Sequence, residues 1–148
     1  MKKNTFILFI IGLLVLVGCG KKVTEYTPKL QNFFYSYSKN GVSCDYNITT
    51  STNKVVLNAS GNTTNCSINE IILDESQIEK LEKIIDDNKL KAWNNFKEQG
   101  EYVSNGEEFS IQIGYDSGEN IFAYGYMKFP DNYQNVHNEL IKLFEEIK

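Results

Sequence analysis

The sequence contains no arginine; all 15 of its basic residues are lysines, set against 19 acids for a net charge of −4. Without guanidinium groups the chain lacks a planar, two-pronged clamp for phosphate or carboxylate. Its acidic balance opposes both nucleic acid and electrostatic adhesion to anionic lipid head groups, so no nucleic-acid partner is expected. Histidine occurs once, at His137. With two of the three cysteines it falls short of the ligand number and spacing of a metal site, so no metal is expected. No Gly-x-Ser-x-Gly, His-Glu-x-x-His, Ser-x-x-Lys or phosphate-loop pattern is present, and nothing calls for a cofactor. Long apolar runs are also missing: the longest, Phe6 to Val17, is shorter than the roughly 20 residues that span a bilayer.

That run is nevertheless informative. Met1-Lys2-Lys3 precedes it and small residues follow it, the arrangement of a signal peptide. It closes on Leu16-Val17-Gly18-Cys19, which resembles a bacterial lipobox. The resemblance implies that the Cys19 thiol takes a diacylglyceryl group and that cleavage before it makes Cys19 the first mature residue. A thiolate is the side chain best suited to such alkylation. Each buried CH₂ contributes about 0.8 kcal/mol, and two or three acyl chains anchor where one would not. The alternative is an uncleaved anchor with an incidental cysteine. On the lipobox reading, residues 1–18 are the signal peptide, 19–29 the lipidated cysteine and tether, and 30–148 one domain. The protein then sits on the outer face of the cytoplasmic membrane or in a periplasm, held by the lipid on Cys19. The mature chain has 13 lysines against 19 acids, a charge of −6.

Cys44 and Cys66 remain. Outside the cytoplasm an even pair suggests a disulfide, closing a loop worth roughly 3 kcal/mol; two buried thiols are the alternative. The wealth of Asn and Lys reads as a coding bias of an AT-rich genome. The glycosylation-like triplets at Asn47, Asn58, Asn62 and Asn65 are taken as chance.

Along the domain, "LQNFFYSYSKNG" alternates with period two, placing Phe33, Tyr35 and Tyr37 on one face, and Asn40-Gly41 signals a hairpin. Three further strands follow, in "VSCDYNITT", "NKVVLNAS" and "CSINEIIL". The period then changes: Ile78, Leu81, Ile84 and Ile85 share a helical face over about 75–87. Either Asp74 with Gln77 or Ser76 with Glu79 forms a capping box, and Glu79–Lys83 adds an i,i+4 pair. Trp93 and Phe96 are expected to pack into the domain, and "GEYVSNGEE" to be a polar loop. Phe109, Ile111 and Ile113 begin a hairpin that turns at "DSGEN" and returns with Ile121, Ala123 and Gly125 opposing Phe122, Tyr124 and Tyr126. Pro130-Asp131-Asn132 stops the strand. A last helix carries Tyr133, Val136, Leu140, Leu143, Phe144 and Ile147 as its apolar stripe. The order ββββ-α-ββ-α predicts an α+β fold, a mostly antiparallel sheet with helices packed on one face.

Chemistry is sparse. His137 reads as a surface helix residue, and "DSGEN" lacks the ligand series of a calcium loop. Three readings remain, and a small-ligand receptor for a transporter ranks last, because such receptors need two lobes and about 130 mature residues are few for that. The first is a non-enzymatic binding domain, with Tyr35, Tyr37, Tyr124 and Tyr126 as candidate contacts to an envelope protein or cell-wall partner. The second is an enzyme or accessory acting on wall polysaccharide through Glu107 or Glu108 with Asp116 and Glu119, which requires two carboxylates about 5–10 Å apart. The binding domain is preferred.

The C-terminal half carries a spaced pattern: Trp93-x-x-Phe96, Gly106-x-x-Phe109-x-Ile111-x-Ile113-x-Tyr115, Gly118, Ile121-x-Ala123-x-Gly125 and Pro130. Over roughly residues 70–147 it resembles small uncharacterised lipoproteins of gut-type bacteria. That resemblance implies a compact α+β domain and no catalytic residues, and the cysteine pair lies outside it.

Overall fold

A computed structural model describes residues 27–52 and 54–148. The signal peptide read at 1–18, Cys19 and most of the tether lie outside the described residues. Strands β1 (Leu30–Lys39), β2 (Val42–Ser51), β3 (Lys54–Gly61) and β4 (Ile68–Ile72) come first, followed by helix α1 (Glu75–Asp87). Then come β5 (Lys97–Gln99), β6 (Glu108–Tyr115), β7 (Asn120–Tyr126) and helix α2 (Tyr133–Ile147). Short 3-10 turns cover Thr64–Cys66 and Leu90–Trp93. The fold is α+β, built on a seven-stranded sheet in the order β4-β3-β2-β1-β6-β7-β5.

Local chemistry explains most of these elements. Asn40 (φ 51°) and Gly41 (φ 78°) both take the left-handed region and join Lys39 to its partner Val42. A two-residue turn of this kind matches the twist of the strands it connects. The capping box of α1 is Asp74 with Gln77: the Asp74 carboxylate accepts from the Gln77 amide at 2.8 Å, and the Gln77 side chain accepts from the Asp74 amide at 2.9 Å. Lys83 pairs with Asp87 at 2.6 Å, not with Glu79 as the sequence suggested.

Register places Phe33, Tyr35, Tyr46, Ile48, Leu57, Ala59, Phe109, Ile111, Ile113, Ile121 and Ala123 on one face of the sheet, and all are buried. The apolar stripe of α2 packs there. Phe144 stacks on Tyr46 at 4.1 Å and tilts against Phe33 at 6.3 Å, while Tyr133 lies 4.7 Å from Phe109. Lys80 on α1 meets Glu146 on α2 at 3.1 Å. Asn132 does not cap α2 with its side chain. It accepts from the Trp93 indole at 3.0 Å and donates to the Asn88 carbonyl at 2.8 Å, tying the start of α2 to the turn after α1.

Two features correct the sequence reading. Among the described residues there are seven strands where six were expected, and the sheet is mixed rather than mostly antiparallel. The extra strand, β5, runs parallel to β7 at the edge, while the other neighbouring pairs are antiparallel. Its three residues are all exposed and polar, so it carries no alternation to read. What holds it is backbone pairing with β7, extended by the Asn95 amide donating to the Phe122 carbonyl and the Tyr124 amide donating to the Phe96 carbonyl.

Cys44 and Cys66 form a disulfide, with Cα atoms 5.4 Å apart. It joins β2 to the turn preceding β4. At the other end of the sheet the chain joins the domain at Lys29, whose amide donates to the Asp116 carboxylate and whose carbonyl accepts from the Asp116 amide. Among the described residues no helix is long and apolar enough to cross a membrane.

Candidate functional site

The second face of the sheet is exposed to solvent. Asn32, Asp45, Asn47, Thr49, Asn58, Ser60, Glu108, Gln112, Asn120 and Phe122 all point there, each exposed, and alternate with the buried set. Most of this face is hydroxyl, amide and carboxylate. Aromatic rings concentrate on one strand. Along β7, Phe122, Tyr124 and Tyr126 occupy every second position, so successive Cα atoms lie about 7 Å apart. Phe122 is 45% exposed and Tyr124 half-buried.

Tyr126 is covered by the loop between β5 and β6. Its hydroxyl donates to the Val103 carbonyl at 2.6 Å and accepts from the Val103 amide at 2.9 Å. Gly106 is the residue that lets the loop close so tightly, because a Cβ there would stand 2.5 Å from the Tyr126 hydroxyl. Tyr102, 85% exposed, stacks parallel to Tyr126 at 6.3 Å. The aromatic row therefore continues beyond the strand.

Polar groups flank the row on both sides. Gln112, Ser110 and Glu108 of β6 stand opposite Phe122, Tyr124 and Tyr126, and Lys97 and Gln99 of β5 stand beside Tyr124 and Tyr126. Phe34 lies across Gln112 on β1. The result is a shallow strip of rings edged by planar hydrogen-bonding side chains.

The four tyrosines singled out in the sequence are thus divided between two faces. Tyr124 and Tyr126 belong to the exposed strip, although Tyr126 is itself buried under the loop. Tyr35 and Tyr37 lie on the face covered by α2, Tyr35 fully buried, and Tyr37 stacks on Tyr35 at 6.0 Å. They share no surface with the other two.

On that covered side a polar cluster sits between α2 and the sheet. The Tyr35 hydroxyl and His137 Nδ1 are 2.6 Å apart, and the Tyr37 ring meets the His137 ring edge-on at 4.8 Å. Tyr133, one turn before His137 on α2, has a buried hydroxyl without a hydrogen-bond partner. That hydroxyl is close enough to feel both the Tyr35 hydroxyl and the Glu107 carboxylate. Glu107 in turn holds Lys39 at 2.8 Å near the surface.

Burial drives the proton affinities of this cluster. It raises both Tyr35 and Tyr133 strongly, so both phenols keep their protons. His137 is pushed below its ordinary value by burial; the Glu107 carboxylate pulls it back up and the Lys39 ammonium lowers it. Burial thus favours the neutral imidazole, and the Tyr35 hydroxyl and Nδ1 share one hydrogen bond whose direction follows the ring's tautomer.

His137 was expected at the surface and is instead half-buried among three tyrosine rings. A signal for this exists in the sequence: His137 follows Tyr133 by four and precedes Leu140 by three, which sets it beside the apolar stripe.

The carboxylates considered for glycoside chemistry do not converge. Glu107 and Glu108 stand at the start of β6 and Asp116 and Glu119 at its far end, about 25 Å away along the strand. Glu119 pairs there with Lys91 at 3.2 Å. Glu107 and Glu108 therefore cannot pair with Asp116 or Glu119, since either hydrolytic geometry needs its two carboxylates within about 10 Å. Among the described residues no group of three or more His, Cys, Asp and Glu side chains gathers in a metal-binding arrangement. No protein-family profile, curated protein or solved structure matches the chain.

Proposed function

We propose that this chain is a lipid-anchored, non-enzymatic binding domain of a bacterial cell envelope, and that the exposed sheet face holds a wall glycan along β7. The observation that carries the reading is the pair of rings Phe122 and Tyr124, continued by Tyr102 where it stacks on the loop-covered Tyr126, and edged by Gln112, Glu108, Lys97 and Gln99. A pyranose ring has an apolar C–H face and a rim of hydroxyls. Aromatic rings take the first, and amides and carboxylates take the second. A flat strip suits an extended polymer better than a small molecule, which is held in a concave pocket. With both helices read as lying on the Tyr35 side, the strip is left free to meet a polymer. The lipobox-like Leu16-Val17-Gly18-Cys19 supports an anchor that keeps the domain within reach of the wall.

The glycan reading is tested by co-sedimentation of the detergent-purified, lipidated protein with isolated cell-wall sacculi. Replacing Phe122 and Tyr124 together by Ala is expected to weaken binding about tenfold, since each stacked ring contributes up to about a kilocalorie per mole. Equal binding by wild type and the double variant rejects the strip, and absence of wild-type binding rejects the glycan. The anchor is tested separately: Cys19→Ser is expected to move the protein from the membrane to the soluble fraction. Wild-type membrane retention would dispose of the lipoprotein reading.

A further inference from the structure

The row of rings on β7 is closed at one end and open at the other, and the path of the chain explains why. Strands β6 and β5 lie on either side of β7, so the segment that joins them must pass over the end of β7. The chain that leaves β7 turns to the covered face, where Phe129 packs on Phe109 and Tyr133. The crossing segment takes the open face. It is pinned there along its length. The Gly100 amide donates to the Tyr126 carbonyl at 2.7 Å, Val103 holds the Tyr126 hydroxyl through both its amide and its carbonyl, and the Met127 amide donates to the Glu107 carbonyl at 2.9 Å. Gly106 adds a close approach to the Tyr126 ring that leaves no room for a Cβ. Tyr126 is only 9% exposed for these reasons.

Whatever covers the open side of a ring in this row fills the layer in which a stacked sugar would lie. At Tyr126 that layer is taken by fixed backbone. At the other end the face stays open: beyond Phe122, the exposed Asn32 and Asn120 flank Gly114. The row is therefore a track that is walled at Tyr126 and open past Phe122.

We propose that the strip recognises the end of a glycan chain, with residues 100–107 as the stop. The proposal rests on the glycan reading and narrows it from the length of a polymer to its terminus. An internal stretch lying on Phe122 and Tyr124 would have to run on through Val103 and Gly106. A terminus has nothing to run on. Phe122 and Tyr124, with Cα atoms about 7 Å apart, each offer a face to one sugar of the terminal pair. Tyr102, 85% exposed and carried on the pinned segment, stands at the wall. Its position costs little ordering on binding, because the segment that bears it is already held. Charge fits the same occupant. One carboxylate, Glu108, and one ammonium, Lys97, border the strip, a balance that suits the hydroxyls of an uncharged sugar and not a polymer of phosphates.

The test uses the detergent-purified, lipidated protein and three preparations of sacculi: untreated, cut by a muramidase, and cut by an endopeptidase. The muramidase breaks glycan chains, and every break adds ends. The endopeptidase breaks the peptide cross-links and opens the mesh without adding glycan ends. Protein bound per unit mass is expected to rise in step with the number of ends after the first treatment and to stay level after the second. A rise after both treatments would come from access to the mesh, and no rise after the first would mean binding to internal stretches; either result overturns the inference. In the Phe122→Ala, Tyr124→Ala double variant the rise should disappear. Its survival there would put end recognition outside the strip and overturn the inference as well. Failure of the glycan reading itself looks different, because the wild type then binds none of the three preparations.

Discussion

Gly125 faces Phe109 across the β6–β7 pair, and a Cβ at this position would run into the Lys128 carbonyl and approach the Phe109 ring to 2.6 Å. The obstructing carbonyl is backbone and cannot swing aside. Gly125→Ala is therefore expected to destabilise the domain by about 2 kcal/mol, within the range for forcing one methyl group into a packed site, as measured by chemical denaturation. A loss under half a kilocalorie per mole would show that the turn after β7 gives way. His137 has a consequence at the same scale. Its folded proton affinity lies below that of the unfolded chain, so the unfolded state takes up the proton first as pH falls. The stability due to neutral His137 is present above about pH 6.5 and is lost as pH falls towards the lowered folded value. In His137→Gln, which keeps a hydrogen-bonding partner for Tyr35, that acid-side decline should be smaller in melts across this window; an identical decline would place its origin elsewhere.

Elements differ in how openly their sequences declare them. Helix α1 has its stop and start written locally, and its cap is worth measuring: Asp74→Ala removes the carboxylate that accepts from the Gln77 amide and should cost about 1 kcal/mol. Denaturation curves with unchanged slope and a lower midpoint would fit loss of a cap. Helix α2 shows the same apolar period as expected, with Tyr133, Val136, Leu140, Leu143, Phe144 and Ile147 all buried. Asn132 behaves otherwise. It looks like an N-cap and serves as a bracket between Trp93 and Asn88, a role set by residues 39 and 44 positions away. The hairpins β1–β2 and β6–β7 were legible because alternation and turn chemistry agree. Strand β5 was not, because only its pairing with β7 makes it a strand.

At the scale of the whole molecule, the Cys44–Cys66 disulfide closes a separation of 22 residues. Its main effect is on the unfolded chain, whose freedom it restricts by roughly 3 kcal/mol in the chain-entropy account. Reduction is expected to lower the denaturation midpoint of the wild type and to leave a Cys44→Ala, Cys66→Ala variant unaffected. An equal response to reductant in both would mean that the loss comes from another source. The sheet itself is the other property of the whole. It has one face closed over rings and aliphatic side chains, and one open face whose polar surface is interrupted by the β7 row.

The amino-acid order alone determined the alternation of the strands, the two helical stripes, the hairpin turns and the pairing partners available to cysteine, because each depends on neighbours a few positions apart. It also carries the lipobox-like ending of the N-terminal apolar run, which is a matter of composition and position. Tertiary structure decided the rest. It sent Tyr35 and Tyr37 beneath α2 and Tyr124 to the open face, although all four tyrosines read alike along their strands. It set His137 against a tyrosine from 102 residues earlier, and it kept Glu107 and Asp116 at opposite ends of one strand. Which face of a sheet is covered, and which distant groups share one buried space, depends on how the layers stack, and no local period records that.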